Sequence, residues 1–185
     1  MESLKGRCFM KEFLWHGRGG QGAFTAAKLL GAAYALSGEN KYALAFPSFG
    51  PERRGAPIRA FTKLDDKPIG NRSEVLKADY SIFLDDTLFS PDAFSELKEN
   101  GKILINTKKD FSDSRIISID ADKIALEVLK RPITNTIMLG ALSYVFDDIA
   151  FDDIRLAIEQ YMPQKIQSKN TAAAQQAVKT LEEGK

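Results

Sequence analysis

The chain has 185 residues, which fits one domain and is long enough to bury a hydrophobic core. Lys and Arg together number 26 and Asp and Glu 25, so the net charge of +1 indicates no general attraction to nucleic acid or an acidic membrane. The single Cys excludes an internal disulfide and an iron–sulfur cluster held by four thiolates of this chain alone. With no apolar run of about 20 residues and no secretory signal, we expect a cytoplasmic protein with one domain, residues 1–185.

Apolar segments bounded by turn residues predict strands, and apolar residues at helical spacing predict helices. The first strand, residues 11–16, leads through a glycine-rich turn into a helix at residues 23–36. The strands predicted after it are 42–46, 58–64, 78–84, 102–106 and 115–119. The helices predicted after it are 91–99, 120 to about 129, 135–146, 151–161 and 168–183. This alternation predicts an α/β fold, a Rossmann-like three-layer sandwich whose sheet is mostly parallel or mixed, with helices on both faces.

The glycine-rich turn between the first strand and the first helix is a candidate cofactor-binding loop. The candidate residues are Gly17, Gly19, Gly20, Gln21 and Gly22. Three of the glycines match G-x-G-x-x-G, a spacing that lets a phosphate approach the free N–H groups at a helix N-terminus. Glu39 lies near the distance expected for a ribose-binding acid, but it precedes the second strand instead of ending it. Two other interpretations stay open: the glycines serve only a tight turn and close packing, or the turn contacts a partner chain.

A second candidate is the long loop at residues 47–57, which is rich in Pro, Gly and Arg. Long loops inside compact domains are usually functional. Arg53 and Arg54 suit bidentate binding of a carboxylate or phosphate, and Glu52 is placed to orient one of them. Ion pairing with acids on the protein surface is the alternative interpretation.

Groups that would carry catalysis on their own are not evident in the sequence. His16 is the only candidate for a general base, but the sequence offers it no Ser or Cys nucleophile with a third orienting group, and Cys8 precedes the first strand. Asp85 and Asp86 end a strand, where carboxylates cap a turn more often than they bind a metal. The sequence therefore predicts neither catalytic nor metal-binding residues, and it is typical of one part of a larger enzyme.

Four motifs, in the same order along the chain, resemble the gamma subunit of the 2-oxoacid:ferredoxin oxidoreductases. They are residues 17–22 (GRGGQG), 49–57 (FGPERRGAP), 135–142 (NTIMLGAL) and 169–173 (KNTAA). The form ERRGAP is most similar to the pyruvate branch, pyruvate synthase, and next to the 2-ketoisovalerate branch. Ala56 departs from the Glu-x-Arg-Gly-Gly pattern of the 2-oxoglutarate and indolepyruvate branches.

The resemblance implies a subunit of an enzyme that oxidatively decarboxylates a 2-oxoacid with coenzyme A and passes the electrons to ferredoxin. Its partners would be the alpha, beta and delta subunits, with thiamine diphosphate and iron–sulfur clusters bound there and not by this chain. The glycine turn with Arg53 and Arg54 would contact coenzyme A or a partner segment. Nucleic acid and membranes are not expected partners. A standalone nucleotide-binding reductase and an assembly protein without a ligand are the competing interpretations.

Overall fold

The computed structural model describes residues 10–48 and 54–184. The strands of this part of the chain form a single six-stranded sheet. They are Lys11–Arg18 (β1), Tyr42–Pro47 (β2), Pro57–Asp65 (β3), Ala78–Phe83 (β4), Leu97–Asn106 (β5) and Ile116–Ile119 (β6).

The sheet is mixed, with the strand order β2-β3-β1-β4-β5-β6. β1 pairs in parallel with β4, β4 with β5, and β5 with β6. In contrast, β3 is antiparallel to both of its neighbours, β1 and β2. Because β3 is reversed, its first residues lie at the same edge of the sheet as the last residues of β1 and β4.

Helices connect and cover these strands. The α-helices in the described residues are Ala23–Leu36 (α1), Ala121–Ile124 (α2), Asn135–Val145 (α3), Phe151–Tyr161 (α4) and Gln164–Glu183 (α5). α2 continues as a π-helical segment, Ala125–Leu129, and two short 3-10 helices, Asp86–Leu88 and Pro91–Glu96, precede β5. Within residues 10–48 and 54–184, no helix is both long and apolar enough to cross a membrane.

The two faces of the sheet are covered by different kinds of helix. On one face, side chains such as Trp15 and Leu104 form the main core with residues of all five α-helices. On the other face, Phe83 and Ile105 pack against Ala93 of the second 3-10 helix. The predicted α/β fold with a mixed sheet is confirmed, and the α-helices lie together on one face of it.

A buried hydrogen-bond chain holds α1 against the sheet. The Trp15 indole N–H donates to the Thr62 hydroxyl (3.1 Å), which donates to the Ala27 carbonyl of α1 (3.0 Å). This chain of bonds joins two neighbouring strands to the middle of α1. The N-terminus of α1 is therefore fixed beside the end of β1, where the glycine turn lies.

The α-helix predicted at residues 91–99 is wrong. A 3-10 helix ends at Glu96, and β5 begins at Leu97, which pairs with Ala78 of β4. β5 continues through Gly101, with a register shift in its pairing with β4 between Leu97 and Lys102. A Cβ built at Gly101 would lie 2.8 Å from the Ala78 carbonyl oxygen, so glycine is needed there for the close approach of the two strands.

Candidate functional site

Three segments of the chain meet at one edge of the sheet: the glycine turn after β1, the residues leading into β3, and the end of β4. The Gly19 N–H donates to the Ala56 carbonyl (2.8 Å), and the Gly55 N–H donates to the Gly19 carbonyl (3.0 Å). The Leu84 N–H donates to the His16 carbonyl (2.8 Å). Backbone hydrogen bonds thus join the two regions that the sequence analysis singled out separately.

Asp85 is the centre of this edge. Arg18 Nε donates to Asp85 Oδ2 (3.0 Å), and Gln21 Nε2 donates to the same oxygen (3.2 Å). The other guanidinium nitrogens of Arg18 donate to the Gly55 carbonyl (3.1 Å) and the Thr87 hydroxyl (2.9 Å). Arg18 therefore ties the three segments together, and its charge is already matched by a carboxylate.

The charge of Asp85 is stabilised by these contacts. Burial raises its pKa, but hydrogen bonds from Thr87, Gln21 and Arg18 outweigh burial and lower the pKa below its ordinary value. A low pKa keeps Asp85 ionised at neutral pH, and this makes it a permanent counter-ion for Arg18. The turn capping that the sequence favours for Asp85 is confirmed, since Asp85 Oδ1 accepts from the Thr87 backbone N–H (3.0 Å), whereas its pairing with Arg18 was not predicted.

Backbone conformation and close packing explain why glycine occupies several positions of the turn. Gly20 and Gly22 have left-handed backbone conformations, with φ of 96° and 79°. A Cβ at Gly22 would also lie 2.6 Å from the amide nitrogen of Asn135, which donates to the Gly22 carbonyl (3.3 Å). Gly17 lies within β1, where a Cβ would press against Ala23 at 3.3 Å. Turn geometry and close packing thus account for Gly17, Gly20 and Gly22 without a ligand.

The side chain of Gln21 points into the turn and forms hydrogen bonds through both its oxygen and its nitrogen. Its Oε1 accepts from the Arg18 backbone N–H (2.7 Å), while its Nε2 donates to Asp85. Both ends of the amide are therefore used within the protein. This arrangement makes Gln21 a residue that shapes the turn.

The groups left available for an anion are the N-terminus of α1 and Arg54. α1 has no acidic residue in its first turn and no side-chain cap at Gly22. Arg54 is exposed beside Gly20, and its guanidinium forms no ion pair or hydrogen bond with any described residue. A partial positive charge and a free guanidinium at one edge suit a phosphate or carboxylate. Arg53 lies outside the described residues, as do residues 49–52 of the same motif and Cys8.

His16 faces the other side of the sheet and contributes to packing there. Its ring stacks on Phe83 with centroids 4.2 Å apart, and Nε2 lies 3.1 Å from Glu96 Oε2, off the direction of a hydrogen bond. The pKa of Glu96 is lowered chiefly by His16, with burial opposing the shift and Arg59 adding to it. His16 and Glu96 line a small cavity together with Ser90 and Ser95, and in the described residues no hydrogen bond joins His16 to either serine.

The carboxylates at the end of β4 are occupied by contacts within the protein. Asp86 Oδ2 accepts from the Thr107 hydroxyl (2.8 Å) and lies 3.4 Å from Lys109 Nζ. In the part of the chain that the structure describes, no three His, Cys, Asp or Glu residues are grouped as metal ligands.

The fold and this edge define an α/β protein in which a glycine turn, the residues before β3 and the end of β4 are joined by hydrogen bonds. Residues 12–180 match the family described as pyruvate ferredoxin/flavodoxin oxidoreductase, and the chain belongs to that family. The predicted family resemblance is thereby confirmed.

Relatives along the whole chain agree with this assignment. The chain is 46% identical to pyruvate synthase subunit PorC of Methanothermobacter thermautotrophicus, over 94% of this chain and 97% of that one. It is 40% identical to the pyruvate/ketoisovalerate oxidoreductases common subunit gamma of Thermococcus litoralis, over 91% and 95%. The crystal structure of pyruvate oxidoreductase subunit PORC from Thermotoga maritima matches with a TM-score of 0.79 and 36% identity, over 92% and 96%. These relatives are named as subunits, and they do not favour a standalone reductase.

Proposed function

We propose that this chain is the gamma subunit of a pyruvate:ferredoxin oxidoreductase. The complex converts pyruvate and coenzyme A into acetyl-CoA and CO2, and the electrons pass to ferredoxin. The observation that carries this proposal is the 46% identity to a pyruvate synthase subunit across nearly the full length of both chains. The ERRGAP motif at residues 52–57 supports the pyruvate branch.

The proposed partners are the alpha, beta and delta subunits of a cytoplasmic complex. Thiamine diphosphate, which stabilises the carbanion formed on decarboxylation, and the iron–sulfur clusters are assigned to those subunits. This chain contributes one domain with a rigid edge. The contacts of Asp85 with Arg18 and Gln21 support this role, because they hold the edge in a fixed shape before a partner or ligand arrives.

A test of the proposed function compares complexes assembled with and without this chain. We expect alpha, beta and delta subunits co-expressed with the chain to co-purify with it and to reduce viologen dye with pyruvate and coenzyme A. The purified chain alone is expected neither to oxidise pyruvate nor to reduce viologen dye. Turnover by the isolated chain, or full activity of a complex that lacks it, would contradict the proposal.

The coenzyme A contact is proposed at Arg53, Arg54 and the glycine turn. The free guanidinium of Arg54 and the uncapped N-terminus of α1 fit the anionic phosphates of coenzyme A. For the R53A/R54A double variant of the assembled complex, we expect the KM for coenzyme A to rise about tenfold, since charge-assisted hydrogen bonds are lost. Steady-state kinetics with coenzyme A varied at saturating pyruvate measures this change.

The matched control for that prediction is R72A. Arg72 is exposed, and its side chain forms no hydrogen bond or ion pair with the described residues. Its replacement is expected to leave the KM for coenzyme A and the subunit stoichiometry unchanged. If R53A/R54A also changes neither quantity, these arginines do not serve the coenzyme or the subunit contact.

A second candidate function is a gamma subunit shared with a 2-ketoisovalerate oxidoreductase. The relative in Thermococcus litoralis, whose name assigns it to both enzymes, favours this possibility. Capture of this chain with its partners and identification of the co-purifying chains tests the proposal. Two distinct sets of catalytic subunits would support sharing, and a single set would contradict it.

A further inference from the structure

A cavity of about 460 Å³ lies between the π-helical segment, the start of α3 and the first two turns of α5. Asn135 and Asn170 line it, and they belong to the motifs at 135–142 and 169–173. Apart from the hydrogen bond from Asn135 to the Gly22 carbonyl, those two motifs have no part in the contacts described at the edge around Asp85. The π-helical segment reaches the cavity at Leu129, and such segments occur frequently at functional sites.

The charged residues of the cavity wall are all cations. Arg131, Lys165 and Lys169 line it, and no Asp or Glu does. Their side chains form no hydrogen bond or ion pair with any residue in the described ranges. On a chain whose net charge is only +1, this local excess of positive charge is unbalanced within the protein.

The positions of Lys165 and Lys169 in α5 are electrostatically unfavourable for cations. Lys165 lies in the first turn of α5, where no acidic residue accompanies it and where the helix dipole disfavours a cation. Lys169 lies four residues later on the same side, and two like charges at that spacing repel. A bound anion compensates both effects at once.

The side-chain amides of Asn135 and Asn170 differ in how many of their polar atoms form hydrogen bonds. Asn170 accepts from the Thr136 hydroxyl (2.8 Å) and donates to the Ile166 carbonyl (2.9 Å), which fixes α5 against α3. Asn135 is only 6% exposed, and its Oδ1 has no hydrogen-bond partner. This oxygen is itself shielded from solvent, so the asparagines shape the wall of the cavity, and the three cations are the groups available to an anion.

The size and lining of the cavity define the class of ligand. A volume of about 460 Å³ falls in the range of small-molecule sites and exceeds the space that a single phosphate fills. Leu129, Ile133 and Met162 supply apolar surface next to the three cations. We propose that this cavity binds a nucleoside phosphate, with its phosphates held by Arg131, Lys165 and Lys169 and its nucleoside against the apolar wall. The inference does not depend on the subunit assignment, because it uses only this chain's residues.

The test measures binding of ADP to the full chain by calorimetry at low ionic strength. We expect saturable binding of ADP that weakens as salt is added. Adenosine and inorganic phosphate are each expected to bind at least about tenfold more weakly than ADP, since each lacks one half of the contacts. For K165A/K169A, we expect the ADP affinity to fall by about tenfold or more. Both lysines are exposed, so their replacement leaves the core intact.

Two control variants locate the binding. K179A changes an exposed lysine of the same helix outside the cavity and is expected to bind ADP like the wild type. R72A is also expected to bind ADP normally, because Arg72 is an exposed cation outside the cavity. Absence of ADP binding, equal affinity for inorganic phosphate, or unchanged ADP affinity in K165A/K169A would overturn the proposal.

Competition with coenzyme A identifies the source of the nucleoside phosphate. Displacement of ADP by coenzyme A, with the same sensitivity to K165A/K169A, assigns the cavity to the nucleotide half of that coenzyme. Binding of ADP without such displacement assigns it to a free nucleotide. Either result supports the nucleoside-phosphate class.

Discussion

Replacement of Gly140 by alanine is expected to lower the free energy of unfolding by about 3 kcal/mol, the upper end of the range for overpacking. Gly140 lies in α3 where the helix crosses α5. A Cβ built there would lie 2.7 Å from the carbonyl carbon of Ala174 and 2.8 Å from its Cα. Both atoms are backbone, so they cannot rotate away, and the helices must separate. Better helix propensity returns only about 1 kcal/mol of this loss.

Urea denaturation of the full chain measures the effect of G140A, and G70A is its matched control. A Cβ at Gly70 would meet no atom within 4 Å, and the residue has no left-handed φ. We therefore expect G70A to change the free energy of unfolding by less than about 0.5 kcal/mol. Equal stability of G140A and the wild type would mean that α3 and α5 are not in backbone contact. If G70A accumulates as soluble protein and G140A does not, the expected destabilisation of G140A is supported in a stronger form.

The close approach at Gly140 also shows which parts of the fold follow from local sequence. The apolar residues of 135–146 predict a buried helix at the right place, because periodicity is a local property. The partner of that helix is not predictable in this way, since Ala174 lies far along the chain. The position of β3 between β1 and β2 is not predictable from local sequence either, because strand order depends on pairing between distant residues.

The error at residues 91–99 has a related cause. Pro91 begins a helix-like pattern, and Asn100 followed by Gly101 is typical of a helix end. In the structure, Leu97 pairs with Ala78 of β4, and after a register shift residues 102–105 pair with residues 80–83, so this pairing overrides the local preference. Propensity is a weak predictor where a strand edge is available.

At the candidate site, the sequence predicts where the glycine turn lies but not how its side chains are used. The order strand, glycines, helix correctly predicts the turn at the end of β1 and Gly22 at the start of α1. The pairing of Arg18 with Asp85 was missed, because the two residues are 67 positions apart and only β1–β4 pairing brings them together. The sequence signal that could have indicated this pair is the position of each residue at the end of a strand. The ligand-binding roles of Arg53 and Arg54 remain predictions.

Replacement of Asp85 by asparagine tests this edge and is expected to lower the free energy of unfolding by about 2 kcal/mol at neutral pH, the usual size for hydrogen bonds to a charged group. The amide of asparagine can accept from one donor at the position of Oδ2, but it brings no negative charge to Arg18. The guanidinium is then half-buried without a counter-ion, and Gln21 loses its charged partner. Hydrogen exchange at Gly19 and Gln21 should become faster, because the turn is held by these contacts.

The stability difference between the wild type and D85N is also expected to depend on pH in a defined direction. The pKa of Asp85 is lowered in the folded protein relative to about 3.9 in an unfolded chain. Its stabilising contribution is therefore complete above the unfolded value and is lost as the pH falls through the folded one. D110N is the matched control, since Asp110 is exposed and its side chain contacts no described residue by hydrogen bond or ion pair. A difference between the wild type and D85N that persists unchanged at the lowest pH would mean that the loss arises from altered packing and not from the charge of Asp85.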